Sequence, residues 1–264
     1  MTGAAGGGPA GPGTIDLNAD AGEGYGRWTL GDDDALLAVV TSANLACGFH
    51  AGDPDVLRYT CARAAERGVV VGAQVSYRDL AGFGRRYVAV PRDSLTNDVL
   101  YQIGGLAAMC RAAGIGVRYV KPHGALYHRA VHDPEHALAI VDAVRAYDPG
   151  LAVLCQAGSE LARCAAEAGL RVVREGFVDR GYTAAGTLVP RSDPGALLTD
   201  PVQAGSRAVR MVTEGTVGAV SGEEVSLVVD SLCVHGDTPG AVHVARAVRS
   251  ALETAGVRVS AFAS

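Results

Sequence analysis

Lysine is almost missing from this chain. Lys121 is the only one in 264 residues, and every other basic side chain is arginine. That scarcity rules out a P-loop, because GxxxxGK[ST] needs a lysine directly after glycine, whereas Lys121 follows Val120 and precedes Pro122. HExxH and GxSxG are absent too, which removes the commonest zinc-peptidase and α/β-hydrolase readings. There is no basic footprint: the formal net charge is −5, which argues against nucleic acid as a partner. No apolar run approaches the roughly 18 residues of a membrane span, so no membrane partner is expected. Six cysteines are scattered at 47, 61, 110, 155, 164 and 233 without a CxxC. The opening MTGAAGGGPAGPG has neither a basic n-region nor an apolar h-region. Together these point to a cytoplasmic protein with reduced, mostly buried thiols.

What is present is apolar and small. Hydrophobic residues make up 48 % of the chain but aromatics only 5 %, a mix that suits buried parallel strands under Ala-rich helices. Residues 1–13 read as a disordered Gly/Ala/Pro-rich tail and 14–264 as one domain. Strand-like runs are expected at 14–20, 42–49, 68–76, 117–123, 151–158, 170–177, 224–237 and 257–262. Helical stretches fall between them near 54–67, 93–113, 134–147, 159–168, 201–214 and 239–255. Asp53-Pro54, Asp133-Pro134 and Asp200-Pro201 each set an N-capping acid before a first-turn proline. Seven or eight βα units without a linker predict a closed or nearly closed α/β barrel.

In such a barrel the residues at the strand C-termini meet at one mouth. The runs end in Asp20 and Glu23, then Cys47, His50 and Asp53, then Gln74, Tyr77, Asp79, Arg85 and Arg86. Next come Lys121, His123 and Tyr127, then Glu175, Asp179, Arg180 and Tyr182, and finally His235 and Asp237. Asp53 serves as a helix cap whatever else it does, and His132 and His136 beside the second Asp-Pro cap read as surface residues. Carboxylates, imidazoles, one amine and arginines suit hydrolysis of an amide or ester: a base activates water and a cation stabilises the oxyanion. The same Asp and His residues would equally hold a divalent metal that generates hydroxide, and the residue types alone leave both open.

The stretches DLNADAGEGYG, ANLACGFHAGDP, DLAGFGRR, VKPHGALYH, EGFVDRGYTAAGTLVPR and CVHGDTPGAV together resemble the LamB/YcsF family, in order and across about residues 14 to 260. The resemblance implies a single-domain, distorted seven-stranded β/α (TIM-like) barrel of the glycoside hydrolase/deacetylase superfamily. The activity it implies is ATP-dependent opening of 5-oxo-L-proline (pyroglutamate) to L-glutamate, as the A component of a multi-subunit 5-oxoprolinase with subunits B and C. Carried over residue by residue, it gives Asp20, Glu23, His50, Lys121, His123 and Asp179 as catalytic candidates. Asn18, Asp53, Glu175, Arg180, Arg191, His235 and Asp237 become substrate-binding candidates.

ATP would activate the amide oxygen by phosphorylation. With no P-loop in this chain, the nucleotide is expected either to be gripped by another device or to be bound mainly on the partner subunits. Arg180 or Arg191 would hold the substrate carboxylate, Lys121 would offset charge on the oxyanion or phosphate, and Asp20, Glu23 or His50 would deprotonate water. One departure is GAQV at 72–75, where many relatives carry GAHP, so Gln74 stands in place of an imidazole. The competing readings are a stand-alone metal-dependent deacetylase or amidohydrolase and a non-catalytic binding subunit. A homo-oligomer is compatible with the sequence.

Overall fold

A computed structural model describes residues 13–238 and 240–263. Most of the tail expected at 1–13 lies outside the described residues. Ten strands run as β1 (Thr14–Ala21), β2 (Ser42–Ala46), β3 (Val70–Val75), β4 (Val117–Pro122), β5 (Ala152–Gln156), β6 (Val172–Phe177), β7 (Thr216–Gly218), β8 (Glu224–Ser226), β9 (Ser231–Val234) and β10 (Arg258–Val259). The helices are α1 (Asp33–Leu37), α2 (Pro54–Arg67), α3 (Arg92–Ala112), α4 (Gly124–Arg129), α5 (Pro134–Tyr147), α6 (Glu160–Glu167), α7 (Pro201–Thr213) and α8 (Ala241–Thr254). None of them is long and apolar enough to cross a membrane.

Seven parallel strands, β1 to β6 and β9, close into a barrel through the β1–β9 pairing. The run expected as one strand at 224–237 is split. Its first part is β8, which pairs antiparallel with the preceding β7 outside the barrel, and only Ser231–Val234 enters the wall. The last run contributes two residues, β10, paired on β1 beyond the closure. The three Asp-Pro signals cap α2, α5 and α7, each aspartate accepting from the second and third backbone amides of its helix.

Strand alternation decides what fills the barrel. Along β1, Ile15, Leu17, Ala19 and Ala21 join the main apolar core, while Asp16, Asn18 and Asp20 hydrogen-bond to side chains of other strands inside the barrel. A second, smaller apolar cluster of Tyr119, Ala152, Leu154 and Val173 packs with Phe262. The interior is therefore partly polar, and its Asp, Asn, Ser and Tyr side chains hydrogen-bond to one another across the strands.

Candidate functional site

A cavity of about 430 Å³ opens where the strands end. Asp20, Arg85, Lys121, His123, Tyr127, His128, Arg180, Arg191 and His235 are among its lining residues. The C-terminal ends of β1, β4, β6 and β9 thus meet at this cavity.

Lys121 lies at the centre and is almost fully buried. Its Nζ is 2.9 Å from Asp20 Oδ1, 2.8 Å from Glu175 Oε1 and 3.2 Å from Cys233 Sγ. The ammonium donates hydrogen bonds to Asp20 and Cys233 and forms an ion pair with Glu175. Burial alone would depress its pKa, but Asp20, Cys233 and Glu175 overcome that and hold it well above the ordinary lysine value. Asp20 is held far below the usual carboxylate range: Lys121, His235 and His123 outweigh the cost of its burial.

Two imidazole–carboxylate pairs flank this ammonium. In the first, His235 Nδ1 lies 2.9 Å from Asp179 Oδ2, and the His235 backbone N–H donates to the same oxygen at 2.9 Å. Burial works against the ionised Asp179, but the His235 ring and amide win and lower its pKa. With Nδ1 engaged by Asp179, Nε2 is the ring nitrogen left to the cavity that this ring lines. Phe177 stacks on that ring at 5.4 Å and fixes its plane.

The second pair is His123 and Glu23, with 3.8 Å from Nε2 to Oε1. Burial, reinforced by the charges of Asp20 and Asp237, pushes the Glu23 carboxyl well above the usual carboxylate range. Burial and the neighbouring His50 keep His123 neutral, with a pKa well below that of free histidine.

His50 stands behind His123 rather than in the cavity lining. The two rings stack 4.2 Å apart at an interplanar angle of 19°. Gly84 permits this arrangement, since a Cβ there would meet His50 Cβ at 2.9 Å and Ser76 Oγ at 2.4 Å. Gln74 fills the place of the expected imidazole as a bridge: its Oε1 lies 3.1 Å from His50 Nε2 and its amide donates to Glu23 Oε1 at 3.3 Å. Burial takes the His50 pKa down to about 4.

Glu23, His50 and His123 each offer one ligand atom within 4.8 Å of the others. His50 Nε2 donates its hydrogen to Gln74, so the lone pair of that ring is on Nδ1, which is buried without a hydrogen-bond partner among the described residues, as is His123 Nδ1. The two imidazoles and the Glu23 carboxylate are the groups that would hold a divalent cation, which would supply a bound hydroxide there.

Other candidates fall elsewhere. Asn18 and Glu175 sit below the cavity inside the barrel. Asp53 is not brought to the cavity; its carboxylate accepts from the amides of Gly26, Asp55 and Val56. Arg180 lines the cavity, yet its guanidinium donates to the carbonyls of Ala196 and Val189 and so anchors the following loop. Arg191 is freer, its closest carboxylate oxygen being Asp237 Oδ1 at 4.0 Å. Asp237 itself pairs with Arg85. Cys47 is buried and its thiol is pushed far up, an inert group. His136 corrects its surface reading: it is buried, T-stacked on Tyr77. His128, one turn into α4, was missed because it lies on no strand end; its side chain is exposed at the cavity, and partial desolvation with the charges of Arg180 and Arg191 lowers its pKa.

The family model described as the LamB/YcsF family matches residues 15–264. The 5-oxoprolinase A-subunit of Streptomyces coelicolor is 61 % identical over 249 residues, covering 94 % of this chain and 100 % of that protein. Its counterpart in Mycobacterium avium is 59 % identical, covering 94 % and 98 %. The crystal structure of a lactam utilization protein from Thermus thermophilus superposes with a TM-score of 0.90 at 51 % identity, covering 94 % of this chain and 100 % of that one.

Proposed function

The chain belongs to the LamB/YcsF family, and from that membership and the cavity's chemistry we propose that it opens 5-oxo-L-proline to L-glutamate with ATP as the A component of a multi-subunit 5-oxoprolinase. The relatives' names supply the substrate and the standing as one component of several. The observation that carries the chemistry is the His235–Asp179 pair, whose free ring nitrogen faces the same cavity as Asp20, Lys121 and Arg191.

In this reading Arg191, beside Arg180, takes the substrate carboxylate. Phosphorylation of the amide oxygen by ATP, held mainly on subunits B and C, makes the ring carbonyl carbon electrophilic. A water set between Asp20 and His235 loses a proton to His235 Nε2 as its oxygen bonds to that carbon. The C–N bond breaks with its electron pair going to nitrogen, which takes a proton from the Glu23–His123 pair. Hydrolysis of the acyl phosphate left behind yields glutamate and phosphate. Lys121 keeps Asp20 ionised and puts a positive field under the developing charge. No step passes through a metal.

The test is glutamate and ADP release from 5-oxoproline by the chain alone and with subunits B and C. Turnover is expected only in the full set, and a His235→Ala chain should abolish it. Full turnover with His235→Ala, or hydrolysis by the chain alone without ATP, would overturn the proposal.

A further inference from the structure

Inside the barrel, below the cavity, a hydrogen-bonded column runs through residues that play no part in the chemistry above. Tyr119 donates its phenol O–H to Asn44 Oδ1 at 2.7 Å. Asn44 Nδ2 donates to Asn18 Oδ1 at 2.7 Å and to Asp20 Oδ1 at 2.8 Å. Asn18 in turn donates to Ser231 Oγ at 2.7 Å, and Ser231 donates to Asp16. Each bond has a fixed direction. An ionised Asp20 can only accept, so Asn44 must turn its NH2 upward, and the carbonyl left over is met by Tyr119. Space for the tyrosine is built into the neighbouring strand: a Cβ on Gly72, the register partner of Tyr119, would lie 2.1 Å from its ring.

We propose that Asn44, braced by Tyr119, is a positioning residue that aims the Asp20 carboxylate. Asn44 and Lys121 both bind Oδ1. Among the described residues no donor is bonded to Oδ2, and Asp20 lines the cavity. The column therefore selects the oxygen that meets the attacking water. Without Asn44, Asp20 pivots about its single remaining strong contact with Lys121, and misplacement of that size costs about 10²-fold in rate. The catalytic arm of this inference rests on the function proposed above, while its structural arm does not.

The structural arm uses the chain's single lysine: a [15Nζ]lysine label gives one NMR signal, that of Lys121. In Asn44→Ala and in Tyr119→Phe, both compared by circular dichroism with the parent chain, that signal should shift as Asp20 turns. In the reconstituted complex kcat should fall about 10²-fold for Asn44→Ala and several-fold for Tyr119→Phe, with KM for 5-oxoproline within about twofold. An unmoved lysine signal in a folded Tyr119→Phe chain, or a raised KM with unchanged kcat, would overturn the proposal. A shifted signal in a complex that never turns over 5-oxoproline would leave the positioning role intact and remove the function instead.

Discussion

Lys121 Nζ lies 2.8 Å from Glu175 Oε1, deep enough that neither side chain exposes more than 3 % of its surface. Glu175 has Lys121 as its one charged partner within ion-pair distance among the described residues, so the lysine holds two strands' carboxylates, Asp20 and Glu175, at the buried floor of the cavity. An isolated charge in such a place costs several kcal/mol.

Removing that ammonium is therefore a stability experiment as well as a kinetic one. Lys121→Met should lower unfolding free energy by about 3–5 kcal/mol, because two carboxylates are left without their countercharge. Urea denaturation at neutral pH measures it. Lys121→Arg should fold better but lose activity, since a planar guanidinium cannot reach the three neighbours of one compact nitrogen. Full activity of Lys121→Arg in the complex would remove the role assigned to the amine.

Asp179→Asn keeps the shape of its pair with His235 and removes the charge. Activity should fall roughly 10²–10⁴-fold, the range of a lost general base. The His235 tautomer, read from ring 15N shifts, should change with it. Stability gives a separate readout. Asp179 has a folded pKa below its unfolded one, so its contribution is present above the unfolded value and fades as pH falls through the folded one. The variant should lose part of that acid-limb dependence.

Asp16 behaves in the opposite sense. Burial raises its pKa to about 6, despite hydrogen bonds from Ser231, Ser42 and Thr41. Its folded state binds the proton more tightly than the unfolded chain, so its contribution is full below about pH 4 and is lost as pH rises to about 6. The loss is on the order of 3 kcal/mol. Asp16→Asn, neutral at every pH, should flatten that fall between pH 4 and 6 in thermal or urea unfolding. An unchanged slope would mean that Asp16 stays ionised.

The sequence made the mouth legible because strand ends are marked twice, by apolar runs before them and by capped helices after them. Asp20, Lys121 and His235 follow from that alone. The barrel interior was hidden, since nothing in SANLA or VRYVKP says that Asn44 and Tyr119 face each other across the register of three strands. The split at 227–230 was hidden for a different reason: the run reads as one strand, while the strand of the wall starts only at Ser231, next to the Arg174–Asp230 pair. Arg85, singled out at a strand end but not chosen as a site residue, enters the cavity through a loop glycine, Gly84, packed over two imidazoles.

The two arginines of the sixth strand end should separate under mutation. Arg180 is buried, donates at 3.1 Å to the Ala196 carbonyl and at 2.6 Å to that of Val189, and through them holds the loop that carries Arg191. Burial, then the charge of Arg191, lowers its pKa to about 10, so a second cation nearby is already tolerated at a cost. Arg180→Gln should lose about 1.5–3 kcal/mol per charged hydrogen bond removed and loosen residues 187–198 to proteolysis. Among the described residues Arg191 anchors nothing of the fold at hydrogen-bond distance, and its side chain is 27 % exposed. Arg191→Gln should melt with the parent chain yet raise KM for 5-oxoproline about 10- to 100-fold, with kcat nearly kept, because a carboxylate grip acts equally in ground and transition states. If Arg191→Gln instead lowers kcat at constant KM, the guanidinium acts on the reacting centre, and the substrate carboxylate must be held by Arg85 on the other side of Asp237.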